Sequence, residues 1–190
     1  MRTFFILVDS YINLISKIHY PYLCRSISAV FLISHGIRRD SSLHIYFIKE
    51  KICLCFFGDK VRQIRPDEAS TLGLLKKAYR IISSSKNFKL KNIHSGVFLK
   101  KIDLATHLKK YGNNIFIEDK NGRDIIDISI SPKSIFILNL NIMPQVYKKI
   151  INYIGKNIIK RIRISRCISS IDQLIVLINN NLDRKDFHDG

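Results

Sequence analysis

The stretch "LISHGIRRD", Leu32 to Asp40, leaves an apolar run and ends on two arginines and an aspartate. Adjacent guanidinium groups at Arg38 and Arg39 offer forked donors for phosphate or carboxylate. Asp40 can orient such donors or accept a proton, and Gly36 permits a tight turn or a close backbone approach. On spacing alone, an ordinary helix C-terminus with basic residues near its dipole accounts for the same letters. Cys24, Cys53, Cys55 and Cys167 form no CxxC pair and have no histidine at zinc-ligand spacing, so neither a metal site nor a disulfide framework is expected. The six histidines are scattered, and His35 and His44 read as exposed or satisfied side chains. GxGxxG, GxxxxGK[ST] and HExxH are absent, which removes the common phosphate-binding and zinc-protease readings.

These residues must be positioned by a chain of 190 residues, long enough for one domain, 1–190, with a proper core. Lys and Arg number 32 against 15 acids, a formal charge of +17, and a globular chain tolerates that self-repulsion mainly with a polyanionic partner. Nucleic acid is the leading partner class; nucleotide bias in the gene, with the lysines merely solvated, is the competing account. The opening "MRTFFILV" is cut short by Asp9 and reads as a buried first strand rather than a signal peptide. No apolar run approaches the roughly 20 residues of a spanning helix, so a soluble protein in a reducing cytoplasm is expected.

Apolar residues at three- and four-residue spacing make "YLCRSISAVFLISH" a largely buried helix stopped at Gly36. "SLHIYFI" and "KICLCFF" suggest two strands joined through Lys49-Glu50-Lys51, with Cys53 and Cys55 on one face as buried thiols. Pro66 and Asp67 open a helix through Ile82, and Ser83 to Asn87 is a loop. The second half alternates again: "SGVFLKK", a helix over 104–110, "NNIFIED", the turn "KNGRD", "IIDISI", "SIFILN", a helix over 144–154, "KRIRIS" and a final helix "SSIDQLIVLINNNLDR". Short strands alternating with amphipathic helices indicate an α/β domain with a mostly parallel sheet.

In order and separation, "LCRSISAVFLISHGIRRD", "VRQIRPDEAS", "HSGVFLKK" and "NNNLDR", with the matching "MRTFFILV", resemble the archaeal tRNA pseudouridine-54 N1-methyltransferases over nearly the whole chain. That family belongs to the SPOUT class, so the resemblance implies a helix-flanked, mostly parallel sheet with a C-terminal trefoil knot holding S-adenosylmethionine. It also implies a homodimer that binds tRNA, with no membrane and no metal, and that methylates N1 of the T-loop pseudouridine. Alignment of nucleophile and sulfonium is the larger expected contribution, up to about 7 to 11 kcal/mol in favourable intramolecular cases. Carboxylates are weak bases near neutrality, so Asp40 is expected to orient the uracil-like ring, with Arg38 and Arg39 on RNA phosphate or the base.

Relatives usually carry Gly-Asp-His-x-Gly after a strand ending like "FVL", whereas the matching run here is Leu138 followed by Asn139, Leu140, Asn141, Ile142 and Met143. A second cofactor loop, "ISLGP" or "LSLSP" in relatives, reads "IRISR" here, with Ile164 and Ser165 at its centre, and Leu174 stands where relatives have cysteine. The resemblance thus places cofactor contacts at Leu138, Asn139, Ile164, Ser165 and Leu174, made largely through backbone groups. A second function from another class is an RNA-binding paralogue that keeps the fold and has no methyl transfer.

Overall fold

The computed structural model describes residues 1–190 except 86–87, 113, 132, 156–157, 169 and 187–190. Among the described residues, ten strands and five α-helices run β1 (Arg2–Val8), α1 (Tyr20–Phe31), β2 (Leu32–Ile33), β3 (Gly36–Ile37), β4 (Ser41–Phe47), β5 (Ile52–Phe57) and α2 (Glu68–Ser84) through the first part of the chain. They continue as β6 (Leu90–His94), β7 (Val97–Lys101), α3 (Leu104–Lys109), β8 (Ile115–Asp124), β9 (Ile135–Asn139), α4 (Pro144–Ile154), β10 (Ile159–Arg163) and α5 (Ile171–Asp186). Eight strands form one sheet in the order β10-β8-β9-β1-β4-β5-β7-β6. The first five in that order pair parallel, and β4-β5-β7-β6 pair antiparallel. This is the expected α/β architecture, and no described helix is long and apolar enough to cross a membrane.

The central strand β1 is apolar without alternation because both faces of the sheet are covered. Phe4, Ile6 and Val8 enter one core with α1, α2 and α5, whereas Phe5 and Leu7 enter the other with α3 and α4. Helix starts are set by short-range caps: Asp67 accepts from the Ser70 amide at 2.6 Å, and Asp103 from the Thr106 amide at 2.9 Å.

Four expectations are corrected. Helix α1 ends at Phe31, not Gly36, because Leu32 is extended and pairs with Ile37, while the Arg38 amide donates to the Phe31 carbonyl at 2.7 Å. The "KNGRD" segment lies within β8: pairing with β10 jumps from Ile117–Arg161 to Arg123–Ile162, so residues 118–122 are extra chain on one strand. Gly122 serves that crowding, since a Cβ there would meet the Ile162 backbone at 2.7 Å. The first residues of "IIDISI" form a 3₁₀ turn over Ile125–Asp127 rather than a strand, capped by Asp124. Ser83 and Ser84 belong to α2; the rest of that expected loop at 86–87 lies outside the described residues.

Candidate functional site

The GIRRD segment crosses from the short β2–β3 hairpin to the start of β4, where Arg2 in β1 stands opposite Ser41. Asp40 is half exposed, at 53 %, and Arg2 is buried, at 6 %. Arg2 Nη2 lies 3.1 Å and Nε 3.2 Å from Asp40 Oδ2, while Nη1 donates to Asp183 Oδ1 at 2.8 Å and to Asn179 Oδ1 at 3.2 Å. Arg38 grips the same Asp183 with both terminal nitrogens, at 2.7 and 2.8 Å. Asn179 in turn donates to the Ala29 carbonyl at 2.9 Å. Burial works against ionisation of Asp183, but hydrogen bonds from Arg38 and then Arg2 outweigh it and hold the carboxyl below the usual range. Charged groups so placed form a network that fastens the start of β1 and the GIRRD segment to the end of α5, although Arg38 Nε is buried without a hydrogen-bond partner among the described residues.

Arg39 turns the other way, with Nη1 donating to the carbonyls of Gly58 at 3.0 Å and Val61 at 2.5 Å. Gly58 lets the backbone of residues 38–41 pass this close, because a Cβ there would collide with the Arg38 and Ser41 carbonyl oxygens. Carbonyls satisfy donors without cancelling charge, so Arg39 remains a cation. It borders an open groove of about 640 Å³ with Lys60, Arg62, Asn92 and Phe98, where three cations face the single carboxylate of Asp59. A cationic groove with an aromatic side chain suits a nucleic-acid backbone and its bases.

The residues expected at the cofactor gather at the opposite end of the sheet. Asn139 ends β9 opposite Leu7 of β1, and Leu7 is five residues beyond Arg2, about 16 Å along the strand. Leu138, Ile164 and Leu174 are all buried in one apolar core. Asn139 folds back on its own loop, its Oδ1 accepting from the Ile142 amide at 3.0 Å and its Nδ2 reaching the Ile142 carbonyl at 3.4 Å. Ser165 does the same after β10, accepting from the Cys167 and Ile168 amides at 3.2 and 3.0 Å. Both loops follow the C-terminal ends of parallel strands, where open α/β sheets bind ligands.

Whether these loops suit S-adenosylmethionine turns on the two glycines that relatives carry. Asn141, not Asn139 or Met143, adopts the left-handed conformation, at φ 54°. Met143 sits at φ −54° and ψ 136°, open to any residue. Asparagine tolerates the left-handed region better than most side chains, so the loop keeps its turn without strain at either replaced glycine. The side chain of Asn139 is committed to that turn and Met143 is exposed at 67 %. The loop conformation therefore fits a cofactor bound through backbone groups.

The structure thus brings Arg38 and Asp40 together, sets Arg39 beside them on the groove, and keeps all three apart from the loops of Leu138, Asn139, Ile164 and Ser165. Arg2, Asn179 and Asp183 were missed as partners of GIRRD. The available signal was that "MRTFFILV" and "NNNLDR", at the two ends of the chain, recur with it in the resemblance.

A family described as "Putative SAM-dependent RNA methyltransferase" matches residues 16–187. The tRNA (pseudouridine(54)-N(1))-methyltransferase of Methanococcoides burtonii is 29% identical over 170 residues, which cover 85% of this chain and 81% of that protein. The protein of the same name from Methanocaldococcus jannaschii is 25% identical over 172 residues, covering 86% and 82%. Among solved structures, Archaeoglobus fulgidus Nep1 bound to S-adenosylhomocysteine is similar with a TM-score of 0.55 at 8% identity, over 88% of this chain and 70% of that one. Nep1 thus shares the fold, and with the family matched across nine-tenths of its length this chain belongs to the S-adenosylmethionine-dependent RNA methyltransferases of that description.

Proposed function

We propose that this chain transfers the methyl group of S-adenosylmethionine to N1 of pseudouridine 54 in the tRNA T-loop, as a single domain working in a homodimer. The observation that supports the reading is the β9 loop, which has a left-handed turn at Asn141 and no strain at either of the two positions where relatives carry glycine. The names of the relatives, each matched over more than four-fifths of its length, supply the substrate.

The cofactor, when bound, supplies an electrophilic methyl group on sulfonium. The backbone of residues 138–143 and 164–168 would hold it, with Leu138, Ile164 and Leu174 as the apolar support and Asn139 and Ser165 as internal braces for the two loops. The C-terminal trefoil knot implied by the resemblance is the arrangement that would keep those loops together. The groove beside Arg39, Lys60 and Arg62 receives tRNA phosphates, and Asp40 orients the acceptor ring. Because Asp40 and the β9 loop stand about 16 Å apart along β1, Asp40 serves the acceptor only across a dimer interface, which is the physical reason for proposing two copies. Four free cysteines support a reducing cytoplasm.

Purified protein incubated with S-adenosylmethionine and a T-arm transcript carrying pseudouridine 54 should yield N1-methylpseudouridine, read by mass spectrometry of the digested RNA. Calorimetric titration should show saturable cofactor binding; no binding at millimolar cofactor would overturn the enzyme reading in favour of an RNA-binding paralogue. Equimolar mixing of Asp40→Ala protein with protein inactivated in the β9 loop should restore turnover toward a quarter of wild type if sites are shared between protomers. Turnover unchanged in Asp40→Ala would remove Asp40 from the mechanism. Affinity for tRNA should fall steeply with salt, as expected when several phosphates are contacted.

A further inference from the structure

On the sheet face that packs against α3, with Phe98 of the groove paired to Cys55, β4 and β5 bury three residues able to ligate a metal. His44 of β4 stands directly opposite Cys55 of β5, and Cys53 lies two residues along the same face. All three are at most 4 % exposed. Cys55 Sγ is 3.4 Å from Cys53 Sγ and 3.6 Å from His44 Nδ1, and the three ligand atoms lie within 4.8 Å of one another. Tetrahedral zinc with ordinary bond lengths separates two sulfurs by about 3.8 Å and a sulfur from a nitrogen by about 3.6 Å. The sulfur–nitrogen separation is already that of ligands sharing one ion, and the two sulfurs need part by only about 0.4 Å to reach it.

The surroundings suit that ion. Lys100 of β7 stands opposite Cys53. A further donor stands beside the trio: the His107 ring centroid is 5.9 Å from that of His44, and its Nε2 is buried without a hydrogen-bond partner among the described residues. Phe5 and Phe57 close the site, at 4.5 and 5.6 Å from the His44 ring. Two thiolates balance the charge of one divalent ion, and neutral imidazole completes a donor set that selects zinc over calcium or magnesium.

We propose that His44, Cys53 and Cys55 form a buried zinc site that staples β4 to β5. Binding releases the two thiol protons to solvent as two Zn–S bonds and one Zn–N bond form. No linear motif encodes the site, because the histidine is delivered by cross-strand register rather than by spacing. This is why the sequence spacing predicts no metal.

The test uses the full chain, reduced, stripped with a chelator and titrated with cobalt(II) and then zinc(II). One equivalent of cobalt should give a thiolate-to-cobalt charge-transfer band that zinc bleaches, and native mass spectrometry should find one zinc per chain. Loss of an outer partner alone costs about 10- to 100-fold in metal affinity, so Cys55→Ala should weaken binding by at least about 100-fold, whereas Cys167→Ala should leave it unchanged. Absence of the band and of bound zinc in the wild-type chain would overturn the proposal, and so would a band that survives in Cys55→Ala. A wild-type chain found by mass to have lost two hydrogens to a Cys53–Cys55 disulfide, with no zinc taken up after reduction, would overturn it as well. The wild-type readouts decide the matter even if a variant fails to fold.

Discussion

The two ends of the parallel sheet solve their problems differently. At the Arg2 end, charged side chains from residues 2, 38, 40 and 183 are joined across the chain, with Arg2 and Asp183 separated by 181 positions. At the Asn139 end, each loop is braced by its own residues two or three positions away. The first arrangement couples global stability to a few ion pairs. The second sets loop shape by short-range bonds, so side chains elsewhere in each loop can change while its backbone conformation is kept.

The largest test of this contrast is Asp183→Ala, which takes the shared carboxylate from Arg2 and Arg38, 6 % and 15 % exposed, leaving Arg2 its pairing with Asp40 but Arg38 neither of its two bonds to Asp183. Removing one partner of a buried pair costs about 3 to 5 kcal/mol; with Asp183 itself partly exposed, about 3 kcal/mol is expected from urea unfolding. Cofactor affinity of the folded fraction should be unchanged. Next comes Gly58→Ala, whose Cβ would collide with the Arg38 carbonyl oxygen. A loss of about 2 kcal/mol is expected from such overpacking, together with weaker tRNA binding in a filter assay, because Arg39 loses its seat.

Acid should distinguish the ends as well. The folded carboxyl of Asp183 lies below its unfolded value, so the stability it contributes is complete above the unfolded carboxylate pKa, about 3.9, and is lost as pH falls through the folded value. Wild-type melting temperature should therefore drop below about pH 4 more steeply than that of Asp183→Asn. At the other end, Asn139→Ala should cost about 1 kcal/mol, the worth of one ordinary hydrogen bond, while weakening cofactor binding and leaving tRNA affinity intact. The smallest effect is expected of Asn141→Gly, a gain of a few tenths of a kcal/mol by removing a side chain from a left-handed position. If instead Asp183→Ala alters cofactor affinity as much as Asn139→Ala does, the two ends are coupled and the contrast fails.

Much of the fold was legible because it follows from local pattern. The unbroken apolar run of β1 announces a strand buried on both faces, and Asp67 and Asp103 announce helix starts through their caps. Helix α4 begins and ends at the expected Pro144 and Ile154. The end of α1 was not legible, since Leu32 could continue a helix and leaves it only because Ile37 is there to pair with. The five extra residues of β8 were likewise read as a turn because nothing local shows that β10 continues the pairing beyond them.

For the candidate site, residue type and order along the chain picked out three segments by resemblance: GIRRD, the run after Leu138, and the closing NNNLDR. Only the tertiary structure decided what they do to one another. It set Arg38 on Asp183 and Arg39 on backbone carbonyls, and it separated Asp40 from the β9 loop by the length of a strand. It also delivered His44 to Cys55. Periodicity and capping act over a few residues and can be read from letters, whereas ion pairing and cross-strand register depend on which distant segments the sheet order makes neighbours.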